Sequence, residues 1–320
     1  MKYYHPPKPE IWKGRSSKTA QYLHEQVNFQ DLEAAKIQCD IGFALLGYAC
    51  DEGVRRNQGR VGAKEGPDAI KQELAKLPCP LSWDSSLVDV GAVSCPDQDL
   101  ESAQAALSEK VKVILDKGFF PLLLGGGHDI AYGHYSGIRE HLGPDAEIGI
   151  INFDAHFDLR NNSGGNNSGT PFYQIARKQK ERNRPFHYLC LGIREEANSR
   201  ELFNTAREFD VDWVTNDTFN LQHTEFLRDQ IRDFLEEVDR VYLTIDLDGF
   251  SSAYAPGVSA ASPFGFDPQI ALWTLQIIIA SGKLISMDLA EMNPVYDQDG
   301  QTAKLAAGIL HHVLRNQQLL

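Results

Sequence analysis

Residues 148–158 read IGIINFDAHFD, an apolar run that ends in aspartate and histidine on alternate positions. Six residues rich in apolar side chains, without regular polar alternation, fit a strand buried on both faces, as in a parallel sheet covered by helices. Where such a strand runs out, residues i, i+2 and i+4 point the same way. Asp154, His156 and Asp158 can therefore face one centre.

Working outward, two further strand-like runs end in the same manner. LLLGGGHD (122–129) passes through glycines into His128 and Asp129, and VYLTIDLDG (241–249) delivers Asp246 and Asp248. Ligands of open α/β sheets bind beyond the carboxyl ends of the strands, so all three clusters can meet at one sheet edge. Asp129 lies beside the proposed ligand His128 and is expected to cap the helix that starts near Ile130.

The remaining pattern alternates short strands with helical periods. Strands are expected over 41–46, 87–90, 119–124, 148–153, 187–191, 241–245 and 284–287. Helices are expected over 67–77, 99–117, 131–142, 224–237, 268–280 and 302–317. Asp99 or Ser102 can cap the second helix, and Gly118 stands where a terminating glycine is expected. This is an α/β protein with a mainly parallel sheet covered on both faces. Residues 1–38 form an N-terminal arm or helix of the same domain, and 39–320 read as one α/β domain, because no repeat or linker divides them. The polar stretch NNSGGNNSG (161–169) is long enough for a loop only.

His128, Asp154, His156, Asp158, Asp246 and Asp248 are six candidate ligands, four of them carboxylates. Six are too few for two closed shells unless a carboxylate bridges with its two oxygens. An oxygen-rich set without cysteine favours manganese over zinc. Paired divalent ions ionise water for attack on carbon and stabilise the tetrahedral intermediate, so the expected chemistry is metal-assisted hydrolysis. No G-x-S-x-G elbow is present to suggest a serine nucleophile.

Composition narrows the partners. A formal net charge of -13 argues against nucleic acid, whose phosphates need clustered Lys and Arg. No apolar run is long enough to span a membrane, and MKYYHPPKPEIWKG lacks the apolar core of a secretion signal. The five scattered cysteines then read as reduced thiols of a cytoplasmic protein that acts on a small molecule.

At GRVGAKEGPDAI (59–70), GGGHD, DAHFD, TIDLDG and MDLAEMNP (287–294), the chain resembles the arginase or ureohydrolase family over most of its length. The resemblance implies a three-layer α/β/α sandwich and two Mn2+ per subunit. The six candidate ligands would hold the ions, with Asp154 and Asp246 bridging. It also implies a homo-oligomer, trimer or hexamer. Glu291, before the N-P step of the last motif, would pair with the planar amidine or guanidine of the substrate.

Within the family the chain is most similar to members that hydrolyse N-formimidoyl-L-glutamate to L-glutamate and formamide. DEGVRRNQGRVGAKEGPDAI, GGGHD, DAHFDLR and SGTPFYQI carry that likeness. Arginases place a histidine after the metal loop, whereas SGTPF stands here, and GFSSAYAPG (249–257) replaces the usual GLDP. Arg160, directly after the metal loop, suits a substrate carboxylate and would repel the amine of arginine or agmatine. In the basic loop RRNQGR (55–60), Arg55, Arg56 or Arg60 could reach a second carboxylate, with Arg60 the favoured candidate. Guanidinobutyrase or agmatinase chemistry, releasing urea, is the alternative, and a catalytically inactive member the next. His311 and His312 are expected to be structural.

Overall fold

The computed structural model describes residues 2–34, 42–82 and 85–319. Cys39 and the first residue of the strand expected over 41–46 lie outside them. The strands are β1 (Tyr4–His5), β2 (Asn28–Phe29), β3 (Gly42–Ala49), β4 (Ser86–Ser94), β5 (Phe120–Gly125), β6 (Ile148–Phe153), β7 (Tyr188–Ile193), β8 (Asp212–Thr215), β9 (Arg240–Asp246) and β10 (Leu284–Ala290). The helices are α1 (Leu23–Gln26), α2 (Glu52–Arg56), α3 (Gly66–Leu74), α4 (Leu100–Asp116), α5 (Ile130–Leu142), α6 (Pro171–Glu181), α7 (Arg200–Glu208), α8 (Thr224–Glu236), α9 (Pro268–Ala280) and α10 (Gln301–Asn316).

All ten strands join one sheet in the order β1-β4-β3-β5-β10-β9-β6-β7-β8, with β2 also on β4. Every pairing is parallel except β1 on β4. The apolar runs are unbroken because the strands bury both faces. On β6, Ile148 and Ile150 enter one core with α4, α5, α6 and α7, while Ile151 and Phe153 enter the other with α3, α8, α9 and α10. This is the three-layer sandwich that the family resemblance implies.

The N-terminal residues do more than form an arm, since β1 and β2 hydrogen-bond β4. Trp12 Nε1 donates to Asp89 Oδ2 at 2.8 Å, and Lys71 pairs with Asp89 Oδ1 at 2.7 Å, all three side chains being buried. Such a pair is tolerable inside the protein because the carboxylate's remaining capacity is filled, here also by the Gly91 amide. Asp99 caps α4 through the Ser102 amide at 3.1 Å, and Gly118 follows that helix at φ 81°. The half-exposed edge strand β8 and the helices α6 and α7 were not foreseen in the sequence.

The strands that carry the ligand motifs are β5, β9 and β6, and β10 completes four consecutive neighbours. Register brings their ends level: Phe153 pairs with Ile245, Ala290 with Asp246, and Leu289 with Leu124. The loops after all four strands therefore open on one stretch of sheet edge.

Candidate metal centre

Asp154 follows β6 immediately, Asp246 closes β9, and His128 and Glu291 follow β5 and β10. Two groups of ligand atoms result, one of His128, Asp154, Asp158 and Asp246, the other of Asp154, His156 and Asp248. His128 Nδ1 lies 3.2 Å from Asp154 Oδ2, 2.9 Å from Asp158 Oδ2 and 3.1 Å from Asp246 Oδ2. His156 Nδ1 lies 3.5 Å from Asp154 Oδ1 and 3.4 Å from Asp248 Oδ1. Asp154 thus offers one oxygen to each group, the geometry a bridging carboxylate needs. Asp246 joins the first group only; its Oδ1 accepts the Asp248 amide at 2.8 Å.

The donor set suits divalent cations. His128 Nδ1 and Asp248 Oδ1 are buried without a hydrogen-bond partner among the described residues, and such orphaned atoms are costly unless something else satisfies them. Crowding of acids shows in their titration. Burial, then neighbouring carboxylates, pushes Asp246 and Glu291 well above the usual carboxylate range and Asp158 up as well. Burial also raises Asp154, but His128 and His156 beside it hold it below its ordinary value. Burial works against charge on His128 and His156, yet the facing carboxylates hold both rings well above the ordinary histidine value. A site that draws protons this strongly is one in which cations can take their place.

Two of the site residues carry backbone strain. Asp158 at φ 46° and Glu291 at φ 66° are left-handed without being glycine, a conformation that persists where the surroundings over-determine it. Glu291 Oε1 accepts the His128 amide at 2.8 Å, and its own amide donates to Gly126 O at 2.8 Å. The glycines of GGGHD have a steric purpose. A Cβ on Gly126 would lie 2.0 Å from Cys50 O.

A cavity opens over the two groups, lined by His156, Asp158, Arg160, Asp246, Asp248 and Glu291. Arg160 is exposed and, among the described residues, makes no ion pair; the structure does not tie it to Asp158. Asn57, Ser168 and Ser259 also line the cavity and were missed in the sequence, where single Asn and Ser residues in loops carry no signal. The 3.2 Å contact between Asn57 and Ser168 joins the loop after β3 to that after β6.

Three expectations are corrected by this geometry. Arg60 does not line the cavity: Nε and Nη2 donate to Ser259 O at 2.9 Å and Val258 O at 2.6 Å, and the guanidinium stacks 3.8 Å from the Tyr296 ring. It braces the segment that carries Ser259 instead. Arg55 pairs with Glu52, and Arg56 with Glu52 and Glu101, so neither faces the cavity. Asp129 precedes α5 but caps nothing; Tyr48 OH donates to its Oδ2 at 2.8 Å. The absence of side chains at Gly53 and Gly127 lets its carboxyl pack inward, where burial raises it well above the usual range. His311 contacts Pro78 O, away from the site, as expected of a structural residue.

Residues 41–315 match the model of the arginase family, and the chain belongs to that family. Among its relatives, the formimidoylglutamase of Geobacillus thermodenitrificans is 42% identical, covering 97% of each chain. That of Chromobacterium violaceum is 44% identical, covering 96% of this chain and 98% of its own. Among solved structures, formimidoylglutamase from Bacillus subtilis superposes with a TM-score of 0.83 at 23% identity, covering 95% of this chain and 94% of that one. Trypanosoma cruzi formiminoglutamase with Mn2+ gives a TM-score of 0.76 at 24% identity over 89% of this chain and 96% of that one.

Proposed function

We propose that this chain hydrolyses N-formimidoyl-L-glutamate to L-glutamate and formamide, using two Mn2+ held by His128, Asp154, His156, Asp158, Asp246 and Asp248. The observation that carries the reading is a guanidinium, Arg160, that makes no ion pair among the described residues and lines a cavity shared with Asp158 and Asp246 of the first ligand group and His156 and Asp248 of the second. Relatives above 40% identity over nearly the whole length bear the name of that activity. The T. cruzi enzyme's Mn2+ and the oxygen-rich donor set support manganese.

Bound there, the two cations would supply Lewis acidity and ionise water near neutral pH. The chain's own residues do the positioning. Arg160 grips a substrate carboxylate with two hydrogen bonds, which places the amidine at the far end of the molecule over the acidic floor. Glu291 has committed Oε1 to the His128 amide. Its other oxygen accepts an amidine N–H and fixes the plane of the group under attack. A cationic amine at the rim would meet Arg160 and be repelled.

We place the enzyme in the cytoplasm as a homo-oligomer, trimer or hexamer, as the family resemblance implies. Among the described residues no helix is long and apolar enough to cross a membrane. Product analysis tests the central reading. Purified Mn2+-loaded protein is offered formimidoylglutamate, guanidinobutyrate, agmatine and arginine in parallel. Formamide and glutamate from the first, with no urea from the others, is expected; urea release as the dominant activity would overturn it.

A further inference from the structure

A chain of buried polar side chains runs beneath His128, on the side away from the cavity. His128 Nε2 lies 2.9 Å from Thr244 Oγ1, and Thr244 donates to Asp288 Oδ1 at 2.6 Å. The other oxygen of Asp288 takes Tyr242 OH at 2.5 Å and His134 Nδ1 at 2.6 Å. Thr244, Asp288, Tyr242 and His134 are all fully buried, with 0% exposure. Thr244 and Asp288 stand opposite one another on β9 and β10, as direct register partners.

Counting protons gives this chain a direction. A carboxylate only accepts, so each of its three contacts must donate to it. Threonine has one hydroxyl proton, and Asp288 takes it. What Thr244 presents to His128 is therefore a lone pair, and His128 Nε2 must carry the ring proton. In a neutral imidazole the remaining nitrogen is then an acceptor. That nitrogen is Nδ1, the buried atom without a hydrogen-bond partner that faces Asp154, Asp158 and Asp246.

We propose that Asp288, acting through Thr244, is a positioning pair that fixes the tautomer of His128 and so creates the histidine ligand of the first metal. The inference rests on the two-ion reading of the site and assigns it two residues that touch neither ion nor substrate. The relay explains why a carboxylate sits inside an apolar strand, LISMDLA, where an unpaired charge would be severely destabilising. It also predicts that the charge of Asp288 matters beyond its shape. In Asp288→Asn, Tyr242 and His134 hold the amide oxygen in the place of Oδ2, which turns the NH2 toward Thr244. Thr244 then accepts from Asn and donates to His128 Nε2, and the ring proton moves to Nδ1, where it blocks the ligand position.

The test uses the full chain and Mn2+ alone, without substrate. Electron paramagnetic resonance follows a Mn2+ titration, since two neighbouring ions give an exchange-coupled signal and one ion gives isolated six-line spectra. Wild type should develop the coupled signal at two ions per chain. Thr244→Val, nearly isosteric, should lose about 10- to 100-fold in affinity for one ion, the scale known for partners of metal-bound histidines. Its spectrum should stay mononuclear at Mn2+ levels that saturate wild type. Thr244→Ser, which keeps the hydroxyl, should restore the coupled signal; Asp288→Asn should weaken the same ion at least as much as Thr244→Val. Coupled spectra at wild-type affinity in both Thr244→Val and Asp288→Asn would overturn the relay while leaving the two-ion site intact. Absence of a coupled signal in wild type would overturn the two-ion reading itself.

Discussion

The backbone amide of His128 donates to Glu291 Oε1 at 2.8 Å, across the gap between the loop after β5 and the loop after β10. One carboxylate oxygen thus fixes the segment that delivers a candidate metal ligand, while the residue itself lines the cavity.

Glu291→Gln keeps an oxygen to accept that amide but loses the charge that meets the amidine. Turnover should fall about 100-fold or more, the range found when a group stabilising developing charge is removed. Metal content, measured by elemental analysis, should remain at two ions per chain. Full activity in this variant would remove Glu291 from the reaction.

Arg160→Leu separates binding from folding. Hydrogen bonds to a charged partner contribute about 1.5–3 kcal/mol, so KM for formimidoylglutamate should rise roughly 10- to 100-fold. The melting temperature should hardly change, because the side chain makes no ion pair among the described residues. Steady-state kinetics with an unchanged KM would assign the carboxylate to another group.

Two glycine substitutions test how closely the metal loop is packed. Gly126→Ala would set a methyl 2.0 Å from Cys50 O and 2.7 Å from Tyr48 O, both of them backbone atoms unable to swing aside. A loss of about 1–3 kcal/mol or more is expected in denaturant melts, with weaker Mn2+ binding. At Gly164 nothing lies within 4 Å of the added carbon, so Gly164→Ala should match wild type in both. Equal behaviour of the two variants would refute the steric account.

Acidity should act on the metal-free protein in a defined sense. His128, His156, Asp158, Asp246 and Glu291 are all shifted upward in the fold. The folded state therefore binds more protons than the unfolded chain, and stability drops as pH rises. Asp154, shifted downward, has the opposite sign, but its contribution changes only in the acid range below its ordinary 3.8. Chelator-treated protein should therefore melt at a lower temperature at about pH 8 than at about pH 5.5. Mn2+ should raise the melting temperature more at the higher pH, because its ligands must be deprotonated. A chelated protein whose melting temperature climbs over that interval would contradict the sign.

Much of this was legible in the sequence because each metal motif sits where a buried strand ends. Asp154, His156 and Asp158 share one short run, and strand polarity places them at the same sheet edge as Asp246 and Asp248, where the pairing of β6 with β9 brings them together. What could not be read depends on contacts between distant segments. Arg60 looked free for a ligand, but which carbonyls lie near a long flexible side chain is set by how the 258–260 segment returns to it. Asp129 looked like a cap because nothing local reveals that Gly53 makes room for its carboxyl. The edge strand β8 is short and half exposed, so its apolar signal is weak. Thr244 and Asp288 did leave a trace, as polar residues inside buried strands that must find partners. Their meaning emerged only when β9 and β10 were seen to be neighbours.

The order of strands along the chain and across the sheet has a consequence for biosynthesis. β5 and β6 are made early, yet they are held apart by β9 and β10, which are made late. At a ribosomal pace on the order of ten residues per second, the slot between them stays vacant for roughly ten seconds while residues 154–290 emerge. During that interval the edges of β5 and β6 that β10 and β9 will cover have no partner strands. The last-made strands are the keystone of the sheet: His128 and Asp154, on the loops after β5 and β6, are brought within reach of one another across β10 and β9, so a place for a metal pair waits on the end of synthesis.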